Sequence, residues 1–134
     1  MASVFVDSNI ILDVFTKDPA WETWSSKALQ TAADVGRLVI NAIVFAEISV
    51  HFERIEQVDE ALSSVYEREA IPFEAAFLAG KAFSTYRRRG GSRTSPLSDF
   101  FIGAHAAVRG YTLLTRDVGH YASYFPKLRL IAPD

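Results

Sequence analysis

Short β-prone runs alternating with stretches of helical period constrain this chain more than any other feature. Ser3-Val4-Phe5-Val6 leads into the polar Asp7-Ser8-Asn9, which can cap a helix carrying Ile10, Ile11, Val14 and Phe15 at helical spacing. Leu38-Val39-Ile40, Tyr111-Thr112-Leu113-Leu114 and Arg129-Leu130-Ile131 read as three further strands. Asp18-Pro19 and Gly36 bracket a helix from Pro19 to Val35, whose Trp21, Trp24 and Leu29 are expected in the core. Asn41 caps a helix through Glu47 to about Phe52, and Glu56 to Arg68 reads as one amphipathic helix with Val58, Leu62, Val65 and Tyr66 inward. A helix from Pro72 to Gly90-Gly91 carries the stripe Phe73, Ala76, Phe77 and Ala82 and ends in Arg87-Arg88-Arg89. Another, capped by Ser98 or Asp99, runs through Val108 to a stop at Gly110, and a short aromatic helix follows the turn Thr115-Arg116-Asp117. Strands separated by helices predict an α/β fold with a largely parallel central sheet.

The 134 residues fit one domain spanning 1–134, and 49% hydrophobic against 22% charged residues excludes disordered and low-complexity classes. There is no cysteine, so disulfides, thiolate nucleophiles and cysteine zinc sites drop out and any metal must take O or N ligands. Asn41 and Glu47 break the most apolar stretch, between Leu38 and Val50, so no membrane span is expected. Met1 to Val6 lacks the basic residues that open a signal peptide, which predicts a cytoplasmic protein. Charge is unevenly spread. Residues 1–80 hold 5 basic and 13 acidic residues, a net −8, while residues 81–134 hold 9 and 3, a net +6. Such a split suits either an anionic partner such as nucleic acid or helix-end complementation.

Ligands of open α/β sheets bind outside the carboxyl ends of the strands, which singles out four acids. Asp7 directly follows the first strand, Asp117 stands three residues past Leu114, Asp99 opens a helix, and Glu47 lies among the apolar Val44, Phe45, Ala46 and Ile48. Each aspartate alone is equally a helix cap, and Glu47 could pair with a distant arginine. Together at one sheet edge they would repel one another and favour a hard divalent ion, Mg²⁺ or Mn²⁺. Such a site suits phosphodiester hydrolysis by an activated water, with Asn9 and Thr115 as supporting donors. Arg87, Arg88, Arg89, Arg93 and Arg116 are candidates for phosphate contact, with helix-dipole complementation or pairing to an acid as the ordinary alternatives. His51, His105 and His120 show no metal-ligand spacing, and His105 is expected to be a hydrogen-bonded, partly buried residue.

At these residues the sequence resembles the PIN-domain ribonucleases, specifically the VapC-type toxins of toxin–antitoxin pairs. The resemblance runs from Val4-Phe5-Val6-Asp7-Ser8-Asn9 through Ala46-Glu47 and Asp99-Phe100-Phe101-Ile102-Gly103-Ala104-His105 to Leu113-Leu114-Thr115-Arg116-Asp117, nearly the whole chain. It implies a three-layer α/β/α fold and an Mg²⁺- or Mn²⁺-dependent endoribonuclease whose acids are Asp7, Glu47, Asp99 and Asp117, supported by Asn9 and Thr115. It also implies a homodimer, an RNA substrate and inhibition by a cognate antitoxin. Ser8 stands where threonine is common and keeps the hydroxyl. Val118-Gly119-His120 offers no further acid, leaving one-metal and two-metal chemistry both open. A haloacid-dehalogenase-like phosphatase would need a second Asp where this chain has Asn9. The remaining rival is a catalytically silent PIN relative that binds RNA or protein.

Overall fold

A computed structural model of the chain describes residues 2–91 and 97–134. Its elements are β1 (Ala2–Val6), α1 (Ser8–Phe15), α2 (Glu22–Val35), β2 (Gly36–Ile40), α3 (Ala42–Ser49), α4 (Ile55–Leu62), β3 (Tyr66–Arg68), α5 (Phe73–Arg88), α6 (Leu97–Arg109), β4 (Thr112–Leu114), α7 (Gly119–Tyr124) and β5 (Leu130–Ile131). The five strands pair in the order β3-β2-β1-β4-β5, every neighbour parallel. The chain steps outward from β1 to β3 and then returns to the other side of β1 for β4 and β5. Right-handed crossovers in these two directions put α1 to α4 on one face and α5 to α7 on the other. Packing of α1 on α2 and α3, and of α6 on α5 and α7, agrees with that division.

The central strands bury Val4, Phe5, Val6, Leu38, Val39, Ile40, Leu113 and Leu114 between the helical layers. Close approach is written into two glycines. A Cβ on Gly36, paired with Ala2 in the β1–β2 ladder, would overlap the Ala2 carbonyl, so the expected helix stop is also a strand contact. A Cβ on Gly103 of α6 would stand 2.7 Å from the Phe125 ring and 3.1 Å from Tyr121, so its absence lets the α7 aromatics lie against α6.

Several local expectations are corrected. The helix expected over Glu56 to Arg68 ends at Leu62, because Ser63 takes a positive φ of 53°, and Tyr66 to Arg68 becomes the edge strand β3 beside β2. Of the expected stripe on α5, Ala82 is buried and Ala76 partly so, but Phe73 and Phe77 are exposed and Ala75 and Ala79 are buried in their place, small side chains that let the helix lie along α6. In α2 the fully buried positions are Ser25 and Ala32, while Trp21, Trp24 and Leu29 are only partly covered. Asp18 accepts from the amides of Ala20 and Trp21 and delays that helix to Glu22. At the far end of α3, Val50 caps the helix at Ser49, short of Phe52.

One polar assembly joins the two faces past the carboxyl ends of the strands. His105 of α6 is fully buried, with Nδ1 3.0 Å from Asn41 Nδ2 and Nε2 2.8 Å from Glu69 Oε1. Asn41 Oδ1 already accepts the amides of Ile43 and Val44 at the start of α3, so its Nδ2 donates to Nδ1 and the Nε2–H donates to Glu69. Replacing His105 by Phe, which keeps the ring but leaves the buried Asn41 Nδ2 without its acceptor while Glu69 keeps Tyr111 and Arg109, is expected to cost about 2 kcal/mol of stability in urea unfolding. Phe73→Gln, at a side chain 89% exposed, is expected to stay within about 0.5 kcal/mol of wild type.

Candidate active site

The reversal of strand order between β1 and β4 makes a crevice at their carboxyl ends. Asp7 forms its floor. The residue leaves β1 in extended conformation and caps α1, with Oδ1 accepting the Ser8 amide at 2.8 Å. Its Oδ2 accepts the Thr115 hydroxyl at 2.9 Å, the Tyr121 hydroxyl at 2.9 Å and, more weakly, Asn9 Nδ2 at 3.4 Å. Burial raises the Asp7 carboxyl above its ordinary range, with Glu47 adding to the rise and the Thr115 and Tyr121 hydrogen bonds working against it. The expected cap role and the expected place in the acidic group are therefore both occupied by this one side chain.

Glu47 of α3 is half-buried and its Oε1 accepts the Ser8 hydroxyl at 2.8 Å. Asp99 lies within the first turn of α6, after a helix start at Leu97 and so inside the helix rather than at its cap, where an acid also complements the helix dipole. Burial pushes the Asp99 carboxyl up to about 7, aided by the charges of Asp7, Glu47 and Asp117 and partly offset by a hydrogen bond from Tyr121. Asp117 stands exposed at the rim, its amide donating to Thr115 Oγ1 at 3.1 Å. The four acids thus share one electrostatic field that deepens from Asp117 to Asp7.

Among the described residues none of the four has an ion-pair partner, since the recorded bridges use Glu56, Asp59, Glu67, Glu69 and Asp13. The expected alternative of a distant arginine on Glu47 is absent from that set. Oxygen-only donors with uncompensated charge fit a hard divalent cation. No three acids or histidines among the described residues form a group able to hold a metal as they stand, so a cation would draw the acids inward or complete its shell with water. A cavity of about 470 Å³ opens elsewhere, between Leu78, Tyr111 and Phe125, and no acid lines it.

The PIN domain family matches residues 4–125. The chain belongs to the PIN domain family. No curated protein matches it in sequence. Among solved structures it is similar to VapBC2 from Rickettsia felis bound to a promoter DNA fragment, with 22% identity, a TM-score of 0.76, and 98% of this chain and 99% of that one covered. VapBC-1 from nontypeable Haemophilus influenzae aligns with 20% identity and a TM-score of 0.73 over 97% of each chain. A toxin–antitoxin complex from Klebsiella pneumoniae gives 20% identity and 0.72 over 98% of each. At these identities the likeness establishes the fold of a PIN domain.

Asn9 and Thr115 both reach Asp7 Oδ2, and Asn9 Nδ2 lies 3.3 Å from Thr115 Oγ1. Sequence reasoning placed Tyr121 only in a short aromatic helix and did not single out Asp13, whose carboxylate is buried. Arg87, Arg88 and Arg89 are exposed at the end of α5, with Arg88 donating to Ser84 and Thr85, while Arg93 lies outside the described residues. Arg116 does not stand free: its guanidinium is paired with Asp13. His120 packs its ring against Tyr86, Phe100 and Tyr124.

A carboxyl whose pKa is higher folded than unfolded binds its proton more tightly in the folded state, so acidification through that range stabilises the fold. The metal-free protein is therefore expected to gain melting temperature as the pH falls from 8 to 6. Asp99→Asn should melt above wild type at pH 8 and lose most of that gain. A wild-type melting temperature that falls over the same interval would contradict the crowding of these acids.

Proposed function

We propose that the chain is the toxin of a toxin–antitoxin pair, an endoribonuclease that hydrolyses RNA phosphodiester bonds with Mg²⁺ or Mn²⁺. The observation that carries this reading is the set of four acids that have no ion-pair partner among the described residues, with burial first and then the charges of Asp7, Glu47 and Asp117 pushing the Asp99 carboxyl up to about 7. The PIN fold and the toxin–antitoxin complexes that share it support the same reading.

Asp7, Glu47, Asp99 and Asp117 would hold the cation. When bound, it supplies Lewis acidity to an attacking water and to the phosphate oxygens. Thr115, Tyr121 and Asn9 fix the Asp7 carboxylate from three sides, and Ser8 fixes Glu47, so these acids are oriented before any ligand arrives. The exposed Arg87, Arg88 and Arg89 track the phosphate backbone, and Arg93 joins them by its place in the sequence. Arg116 is left out of that set, because Asp13 already holds its guanidinium.

The resemblance to VapC-type toxins implies a homodimer and a cytoplasmic site of action on RNA. It also implies a cognate antitoxin. A basic segment of that partner, presenting Arg, would pair with the four acids and close the site to cations.

Purified protein is expected to cut RNA with Mg²⁺ or Mn²⁺ and to stop on chelation. Asp99→Asn, close to isosteric, should fold and yet lose about a hundredfold or more of the cleavage rate. RNA bound but left intact under these conditions would favour the silent RNA-binding module instead.

Replacing Arg87, Arg88 and Arg89 by Gln is expected to weaken RNA binding and to flatten the slope of log affinity against log salt by about 2, since each phosphate contact on a single strand contributes about 0.7. An unchanged slope would return these residues to the role of helix-end complements.

A further inference from the structure

Beside the four acids lies a fifth carboxylate, which the proposed chemistry does not use. Asp13, less than two turns along α1 from Asp7, is 2% exposed. Its Oδ2 accepts the Ser25 hydroxyl of α2 at 2.7 Å and Arg116 Nε at 2.8 Å, and its Oδ1 accepts Arg116 Nη2 at 3.0 Å. A guanidinium fork on a carboxylate fixes orientation as well as distance, because both groups are planar and both bonds must align. The Trp21 ring lies 5.4 Å from the guanidinium carbon and covers it, while the Arg116 amide faces Asn9 Oδ1 at 3.4 Å. Arg116 is thereby held by α1 and by the approach to α2 at once, and Ser25 of α2 holds its partner Asp13.

Its neighbours in sequence are the residues that matter to the site. Thr115 donates to Asp7, and Asp117 donates its amide back to Thr115 Oγ1. We propose that Asp13 and Arg116 form a clamp that fixes the turn between β4 and α7, so that Arg116 is a positioning residue for Thr115 and Asp117 and not a phosphate contact. The proposal rests on the reading of the four acids as the reaction centre, but the clamp itself can be tested without metal or RNA.

Amide hydrogen exchange of the metal-free, full-length protein reads the turn directly. In Asp13→Asn the Ser25 bond has an acceptor left while the charge pairing is gone, and the Asp117 amide is expected to exchange about tenfold faster or more. Amides in the middle of α5 and of β1 should keep their wild-type rates. Arg116→Gln is expected to match it. The double variant, which sets one amide against another, should add nothing further if the two residues act as one unit, and it supplies a second folded sample should Arg116→Gln unfold.

In RNA cleavage, loss of the clamp is expected to lower kcat by roughly tenfold to a hundredfold, the range seen when groups orienting ligating carboxylates are removed. KM and the salt slope should stay as in wild type. An unchanged Asp117 exchange rate in Asp13→Asn overturns the clamp whatever the activity does. A raised KM and a flatter salt slope in Arg116→Gln, with exchange unchanged, would make Arg116 a phosphate contact and overturn it equally. Wild-type protein that leaves RNA uncut with metal would remove the nuclease reading, and the exchange rates would still decide the clamp.

Discussion

The structure is organised around a carboxylate placed where carboxylates are costly. Asp7 sits at the end of the central strand, 4% exposed, beneath the ends of two strands and against two helices. Burying a charge in such a place costs several kcal/mol unless hydrogen bonds return it, and a bond to a charged group returns about 1.5–3 kcal/mol. Three strong donors do so here, each from a different part of the chain: the Ser8 amide at the start of α1, the Thr115 hydroxyl after β4 and the Tyr121 hydroxyl on α7. Satisfying Asp7 therefore requires that β1, β4 and α7 be in register, and the same requirement brings Asp117 and the approach to α7 to the crevice. Gly103 belongs to this constraint, since a Cβ there would overlap the Phe125 ring and crowd Tyr121, the two aromatics that seat α7 against α6.

The remaining acids come to Asp7 by way of the opposite faces of the sheet. Asn41 caps α3, which carries Glu47, and the same side chain bonds to His105 on α6, which carries Asp99. One buried contact thus sets the spacing of two helices whose acids repel. The repulsion is visible in the Asp99 carboxyl, held near neutrality by burial and by its three acidic neighbours. Stability is spent in the crevice and recovered in the apolar layers around it, the usual arrangement at a site shaped for charge chemistry.

Much of this was legible in the sequence, for reasons that differ by element. Val4-Phe5-Val6-Asp7 and Leu38-Val39-Ile40-Asn41 announce strand, turn and cap because apolar run and capping residue adjoin, and the structure keeps both. β3 was hidden: Tyr66-Glu67-Arg68 is polar, exposed at an edge and continuous with a helical pattern, and only the left-handed Ser63 separates the two. On α5 the reading set Phe73 and Phe77 beside Ala76 and Ala82, whereas close packing against α6 leaves both phenylalanines out and buries Ala75, Ala79 and Ala82. Tyr121 and Asp13 could not be read as site residues because their meaning lies in partners 114 and 103 positions away.

The placement of cations completes the argument. Arg116 stands between Thr115 and Asp117, the position from which a guanidinium could most easily neutralise the acids. Asp13 turns it toward α2 with a bidentate pair, and the net charge added beside the crevice by the two side chains together is nil. Arg37, Arg54, Arg68 and Arg109 are likewise paired with acids outside the crevice. A fold that answered its four central acids with its own arginines would be more stable and would have no charge left to offer a cation. Pairing those arginines elsewhere keeps the potential of the crevice negative, while the exposed Arg87, Arg88 and Arg89 stay at the end of α5, where a polyanion can meet them.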